Sequence, residues 1–260
     1  TLVKLTFLGT GTSFGVPVIG CDCAACTSAD PRDRRTRHGA LLDTGQGRLL
    51  VDTPPELRLQ LLAAGVDSVD AVWFTHNHAD HVHGIDDLRV FTVRNGDMPA
   101  YIPNEYVAPM REQFRYIFDD AVQPPQDSSK PRLRVEPYDA GETVSIVGRD
   151  FTAVDVPHGD VTVYGFRVGS LGYVTDGKML PSATVAALKG VSVLVLNALW
   201  FEKTHASHFN IEEAIEAARE VGARRTYLTH LTHRVTHAEL KARLPTDVTA
   251  AYDGLTVEVD

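Results

Sequence analysis

Thr75-His76-Asn77-His78-Ala79-Asp80-His81 places four metal-binding side chains within six residues, directly after a short apolar run over 71–75. Side chains this close in sequence converge on one point only where the backbone turns tightly, and the end of a strand supplies that turn. A divalent cation takes neutral imidazole nitrogens and carboxylate oxygens, at about 2.0–2.2 Å for zinc. The cluster offers enough donors for two cations to share it.

Working outward, residues 2–8 read as a strand that ends at Gly9-Thr10-Gly11-Thr12, and 38–43 with 48–52 flank Gly45-Gln46-Gly47 as a hairpin. Residues 56–64 have helical spacing up to a Gly65 stop, and 86–93 and 105–118 are further candidate helices. The stretch 119–135, rich in Asp, Pro and Ser, is expected to be an exposed connection and the best candidate for a mobile lid. The second half repeats the style, with strands near 150–156, 161–168, 171–174 and 191–196, a helix over 211–220 stopped by Gly222, and a strand over 225–228. Two sets of strands interleaved with helices predict an α/β protein of two packed sheets covered by helices. No linker or low-complexity run divides the chain, so one domain over 1–260 is expected.

A chain of 260 residues, 43% hydrophobic, can bury a substantial core. No apolar stretch reaches membrane-spanning length, and the N-terminal residues lack the layout of a signal peptide, so a cytoplasmic protein without membrane contact is expected. The formal net charge of −9 disfavours an extended nucleic-acid surface and favours a small substrate. The three cysteines crowd into Cys21-Asp22-Cys23-Ala24-Ala25-Cys26, which suits a metal site better than a disulfide framework. Taken alone, that spacing is also compatible with redox chemistry or incidental buried thiols.

The pattern His76-x-His78-x-Asp80-His81 resembles the signature of the metallo-β-lactamase superfamily, and matching residues follow in order: His158, Asp176 and His230, each just past an expected strand. The resemblance extends from Gly9 to His233 and implies an αββα sandwich. It implies that His76, His78 and His158 hold one divalent metal, zinc or manganese, that Asp80, His81 and His230 hold the other, and that Asp176 bridges them. Asp52, at the end of the strand Leu49-Leu50-Val51, occupies the place of a carboxylate that orients the ligand loop, although Thr53-Pro54-Pro55 stands where glycine often follows, and a plain strand-end cap is the competing reading.

Gly9-Thr10-Gly11-Thr12-Ser13, Gly15-Val16-Pro17 and the cysteine loop at about 20–27 resemble one branch in particular, which includes the cyclic-phosphate phosphodiesterase of bacterial phosphonate breakdown. That branch implies a structural zinc on Cys21, Cys23, Cys26 and His233, and a general-acid histidine at the place of His208, with His205 as a rival. A homodimer is implied by the branch alone. The expected activity is hydrolysis of small cyclic or linear phosphodiesters by water that two metals activate, with Asp80 and His208 as the catalytic residues. The same fold also supports hydrolysis of other esters, thioesters, lactones and lactams, and RNA processing, and a non-catalytic metal-binding scaffold is the reading outside enzymology.

Weaker features take ordinary readings. The run 30–37 is a solvated basic face; His83, Asp86, Asp87 and Arg89 support structure; His38 and His237 have no identifiable partner; Trp73, Trp200 and Phe201 are core or interface residues.

Overall fold

The computed structural model describes residues 2–260. The first half runs β1 (Val3–Gly9), β2 (Gly39–Asp43), β3 (Arg48–Val51), α1 (Leu57–Ala63), β4 (Ala71–Trp73), α2 (Ala79–Val82), α3 (Arg89–Asn95), β5 (Met98–Pro103), α4 (Asn104–Gln113), α5 (Arg115–Phe118) and β6 (Leu133–Tyr138). The second runs β7 (Thr143–Ile146), β8 (Arg149–His158), β9 (Val161–Val168), β10 (Leu171–Tyr173), α6 (Ser182–Leu188), β11 (Val193–Asn197), α7 (Ile211–Val221), β12 (Arg225–Thr229), α8 (His237–Arg243), β13 (Val248–Ala250) and β14 (Thr256–Val259).

The described residues form two seven-stranded sheets, ordered β14-β1-β2-β3-β4-β5-β6 and β13-β12-β11-β10-β9-β8-β7. Each changes partway from antiparallel to parallel pairing: β3 to β6 run parallel in the first, β10 to β13 in the second. The two halves therefore share a topology without a sequence repeat, and β14 crosses back to close the first sheet against β1. Parallel strands need crossover connections, and helices supply them on the outer faces. The expected αββα sandwich is the observed fold.

Trp73 anchors the layer between the sheets. It is fully buried, stacks on Tyr138 at 4.0 Å between ring centres and meets Phe166 edge-on at 5.4 Å, as a core residue should. Val174, Leu194, Leu196 and Leu228 pack on the other face of the second sheet, against Ile211, Ala214 and Ala218 of α7. That helix starts and stops where its sequence dictates. Asn210 accepts from Glu213 N–H at 2.8 Å, the Glu213 carboxylate accepts from Asn210 N–H at 2.9 Å, and Gly222 ends it at φ 79°.

Departures from expectation lie mostly in short elements. The helix expected over 105–118 breaks at Phe114 into α4 and α5, and the one over 86–93 is a 3₁₀ turn (Ile85–Leu88) running into α3. The connection expected over 119–135 stops at 132, because 133 begins β6. Nor is it built as a lid. Lys130 Nζ donates to the carbonyls of Asp119 and Val122, and Arg89 to that of Ser129. Its far end pairs beside Met98, at the start of the parallel strands, whereas the histidines lie past their ends. The run 30–37 is not a solvated face either: Asp33 and Arg35 are buried, Arg32 pairs with Asp30, and Arg37 with Glu56.

Candidate metal centre

The histidine motif leaves the sheet where β4 ends, and α2 begins within it, so His76 and His78 project from the turn while Asp80 and His81 project from the first helical turn. His158 ends β8, Asp176 follows β10, and His230 follows β12. Ligands at the carboxyl ends of strands from both sheets thus meet at one place, where such sheets commonly bind their ligands. Asp52, Asp176 and His230 adopt left-handed backbone angles, φ 61°, 56° and 55°. Side chains other than glycine rarely hold that conformation, which costs on the order of 1–3 kcal/mol each and concentrates at functional sites.

Asp176 Oδ2 lies 3.2 Å from His81 Nε2, 3.4 Å from His230 Nε2, 3.7 Å from His208 Nε2 and 3.9 Å from His76 Nε2. Donor atoms of His76, His78 and His158 gather within 4.8 Å of one another, and so do those of Asp80, His81, Asp176 and His230. The structure therefore brings all seven expected ligands together in the two expected groups. His158, Asp176 and His208 form a third, overlapping group.

In three of the five rings, a hydrogen bond on the far side fixes which nitrogen faces the centre. Asp52 Oδ2 accepts from His81 Nδ1 at 2.7 Å and from the Thr75 hydroxyl at 2.8 Å, while its Oδ1 accepts from Thr75 N–H. The Thr75 oxygen, having given its proton away, accepts from His76 Nδ1 at 3.0 Å. The Ser207 carbonyl accepts from His158 Nδ1, also at 3.0 Å. With Nδ1 occupied as a donor in all three rings, Nε2 is the nitrogen turned inward, and it offers its lone pair to a cation when the ring is neutral. Asp52 is therefore a bidentate support of the ligand loop and not merely a strand-end cap. His38, buried behind the rings, meets the Tyr173 hydroxyl at 2.8 Å and lies 5.3 Å from the His81 ring. Burial pulls its pKa down to about 3, so it is neutral.

Burial opposes charge on Asp80 and Asp176, yet the surrounding histidines outweigh it and hold both carboxyls ionised. Burial likewise opposes protonation of His81, and Asp176, Asp80 and Asp52 together outweigh it, raising its pKa well above that of a free imidazole. Nε2 of His76, His81 and His230 is buried without a hydrogen-bond partner among the described residues. Leaving such atoms unpaired is costly. Lone pairs and buried anions converging on one point fit the donor set of divalent cations.

His208 also faces the centre. Its ring stacks on His230 at 4.9 Å, its Nε2 is buried and unpartnered, and its Nδ1 lies 3.1 Å from Ser207 Oγ. His205 sits one layer further out, its Nδ1 3.3 Å from His208 Nδ1. Burial first, opposed by Asp176, brings the His208 pKa to about 4, well below the ordinary value expected for it.

The cysteine loop and His233 form a second candidate centre. His233 Nδ1 lies 3.3, 3.4 and 3.6 Å from the sulfurs of Cys21, Cys23 and Cys26. A tetrahedral zinc with Zn–S about 2.3 Å and Zn–N about 2.0–2.1 Å requires S···N edges of roughly 3.5 Å, so the set fits. A hydrogen bond from Cys26 N–H leads the effects that pull the Cys23 thiol down to about 6, whereas burial pushes Cys26 up to about 11.

Among the residues read as structural, His83 pairs with Gln113, and Asp86 with Arg89 and the Tyr116 hydroxyl. Trp200 is half-buried, packed against the core under the second sheet, and its ring also lines a cavity beside His208. Sequence reasoning also passed over Thr75, the Ser207 carbonyl and His38. Only Thr75, inside the motif, carried a local signal.

Strand-end imidazoles and carboxylates in an αββα sandwich define a metallo-hydrolase. The model of the β-lactamase superfamily domain matches residues 47–231, and the chain belongs to the metallo-β-lactamase superfamily, in its PhnP-like branch. A solved structure described as a new diphosphatase from the PhnP family is 35% identical, with a TM-score of 0.90, over 99% of this chain and 98% of the other. A protein of Porphyromonas gingivalis named octanoyltransferase is 34% identical over 99% of this chain, which spans only 52% of that relative's length. Ribonuclease Z of Mycobacterium sp. strain KMS is 27% identical over 88% of this chain and 84% of its own. Among the described residues no helix is long and apolar enough to cross a membrane.

Proposed function

We propose that this chain is a phosphodiesterase for small cyclic or linear phosphodiesters. In this reading His76, His78 and His158 hold one divalent cation, zinc or manganese, Asp80, His81 and His230 hold a second, and Asp176 lies between them. The observation that carries it is the convergence of four histidine Nε2 atoms on Asp176 Oδ2 within 3.2–3.9 Å. Bound there, the cations supply Lewis-acid polarisation of phosphoryl oxygens and a water acidified toward a pKa of about 7. Asp52, Thr75 and the Ser207 carbonyl keep Nε2 of the ligand rings facing inward. Asp80 adds a negative charge beside His81 and His230.

His208 takes the acid role, because its Nε2 faces the same carboxylate as the ligand rings. With a pKa of about 4 it is neutral before substrate arrives. An anionic phosphate beside it favours the charged ring, from which a proton passes to the departing oxygen. The names of two relatives, a diphosphatase and a ribonuclease Z, support chemistry at phosphorus. The octanoyltransferase belongs to a chain about twice as long, and its activity is not carried over. Cys21, Cys23, Cys26 and His233 hold a structural zinc, and three thiols kept as ligands suit a reducing compartment.

The test is a panel of bis(p-nitrophenyl) phosphate and small cyclic and linear phosphodiesters, run beside a thioester, a lactone and a chromogenic lactam with defined Mn²⁺ or Zn²⁺. Turnover of phosphodiesters that is lost on chelation and restored by metal is the expected result. Preferential turnover of an acyl substrate would displace the reading, and no turnover in any metal state would favour a scaffold.

A further inference from the structure

Beside His208 and His230, a cavity of about 340 Å³ opens between segment 12–14 and the loops that follow β11 and β12. Phe14, Trp200, His205 and Arg234 line it with those two histidines. The Arg234 guanidinium lies 4.3 Å from the centre of the Trp200 ring, and His205 meets that ring edge-on at 5.8 Å. Phe14 is 74% exposed and offers a free ring face.

Arg234 forms no ion pair among the described residues, whereas Arg243, which shares a neighbouring cavity wall with it, pairs with Glu202 and Glu239. In a chain of net charge −9, carboxylates are plentiful, and Glu202 and Glu239 line that wall too, yet both are taken by Arg243 and none pairs with Arg234. Stacking on an indole restricts it while leaving its forked donors free, an arrangement matched to a phosphate.

We infer that this cavity receives the departing half of the substrate, and that Arg234, held on Trp200, recognises a phosphate on that half. The inference rests on the hydrolase reading above, since His208 lines the same cavity and the group it protonates leaves along that wall. Water adds its oxygen to the attacked phosphorus, the P–O bond to the departing half breaks, and the proton that water loses passes to the departing oxygen or, where that oxygen leaves as a stable anion, to solvent. A substrate whose departing half carries its own phosphate gains the Arg234 contact; one with an uncharged aryl group does not.

Two thymidylyl substrates share the attacked phosphorus and differ in what leaves: the p-nitrophenyl ester of thymidylic acid and dithymidine pyrophosphate. With the metal-loaded protein, Arg234→Met is expected to lower kcat/KM on the pyrophosphate by at least about tenfold, mainly through KM, and to leave the aryl ester within about twofold. Arg234→Lys should recover part of the loss, and an unchanged melting temperature checks the fold. Equal effects on both substrates, no effect on either, or a wild type that cleaves only the aryl ester would overturn the inference. If the wild type cleaves neither, the wider phosphodiester panel decides the hydrolase reading, and binding decides the cavity separately. Tryptophan fluorescence quenched about tenfold more tightly by thymidylate than by thymidine, with the preference lost in Arg234→Met, keeps the phosphate site; no such preference removes it.

Discussion

Asp52 and His81 share a buried 2.7 Å hydrogen bond, and the other carboxylate oxygen of Asp52 holds the backbone that introduces the motif. One carboxylate therefore sets both the path of the ligand loop and the tautomer of a ligand. Asp52→Ala is expected to weaken divalent-metal affinity by about 10–100-fold, read by competition with a chelating dye. Unchanged affinity with lowered stability would reduce Asp52 to a fold-keeping role.

Asp176 sits where both ligand groups meet. Asp176→Ala should cut the metal content of the centre from two ions to one or fewer per chain and lower kcat/KM by at least about 100-fold. Elemental analysis beside turnover measures both, and a variant retaining two ions would refute the bridging position.

His208→Ala separates proton donation from binding. Diesters with alkoxide leaving groups should slow by about 10²–10⁴-fold, whereas p-nitrophenyl esters, whose leaving group needs no proton, should change little. Equal losses in both series would remove His208 from the acid role.

The cysteine centre should contribute to folding and not to chemistry. Cys23→Ser is expected to lower bound zinc by one ion per chain and the melting temperature by roughly 5 °C or more. Zinc content unchanged from wild type would count against the site.

His237 gives a pH signature remote from the metals. Burial, then the Arg35 guanidinium beside it, brings its pKa to about 4. The unfolded ring, near 6.5, takes up a proton as pH falls while the folded ring does not, so stability is full above 6.5 and declines toward 4. Urea unfolding across that window should show a steeper decline for wild type than for His237→Gln. Parallel curves would show that another group sets the acid sensitivity.

Much of this was legible in the sequence, for physical reasons. Ligands at strand ends announce themselves because apolar runs stop where they begin, and α7 was bounded correctly because Asn210 and Gly222 are local signals. By contrast, β5, β6 and β13 are short strands whose partners are distant in sequence, so alternation alone did not mark them. His38 is invisible for the same reason: the partners of its ring, the hydroxyls of Tyr173 and Thr229, lie more than 130 residues away. Arg35 was misread as solvated because a run of charges says nothing of the buried carbonyl of Ala251 and hydroxyl of Thr10 that receive it. The His208 pKa could not be read from residue type, since burial decides it.

Four of the seven candidate ligands come from before residue 82 and three from after residue 157, one set from each sheet. On the proposed assignment neither half of the chain owns a complete coordination shell, so a cation bound here would act as a clasp across the seam of the sandwich. Its binding energy doubles as adhesion between the halves, and the unfolding temperature should climb with free metal by mass action.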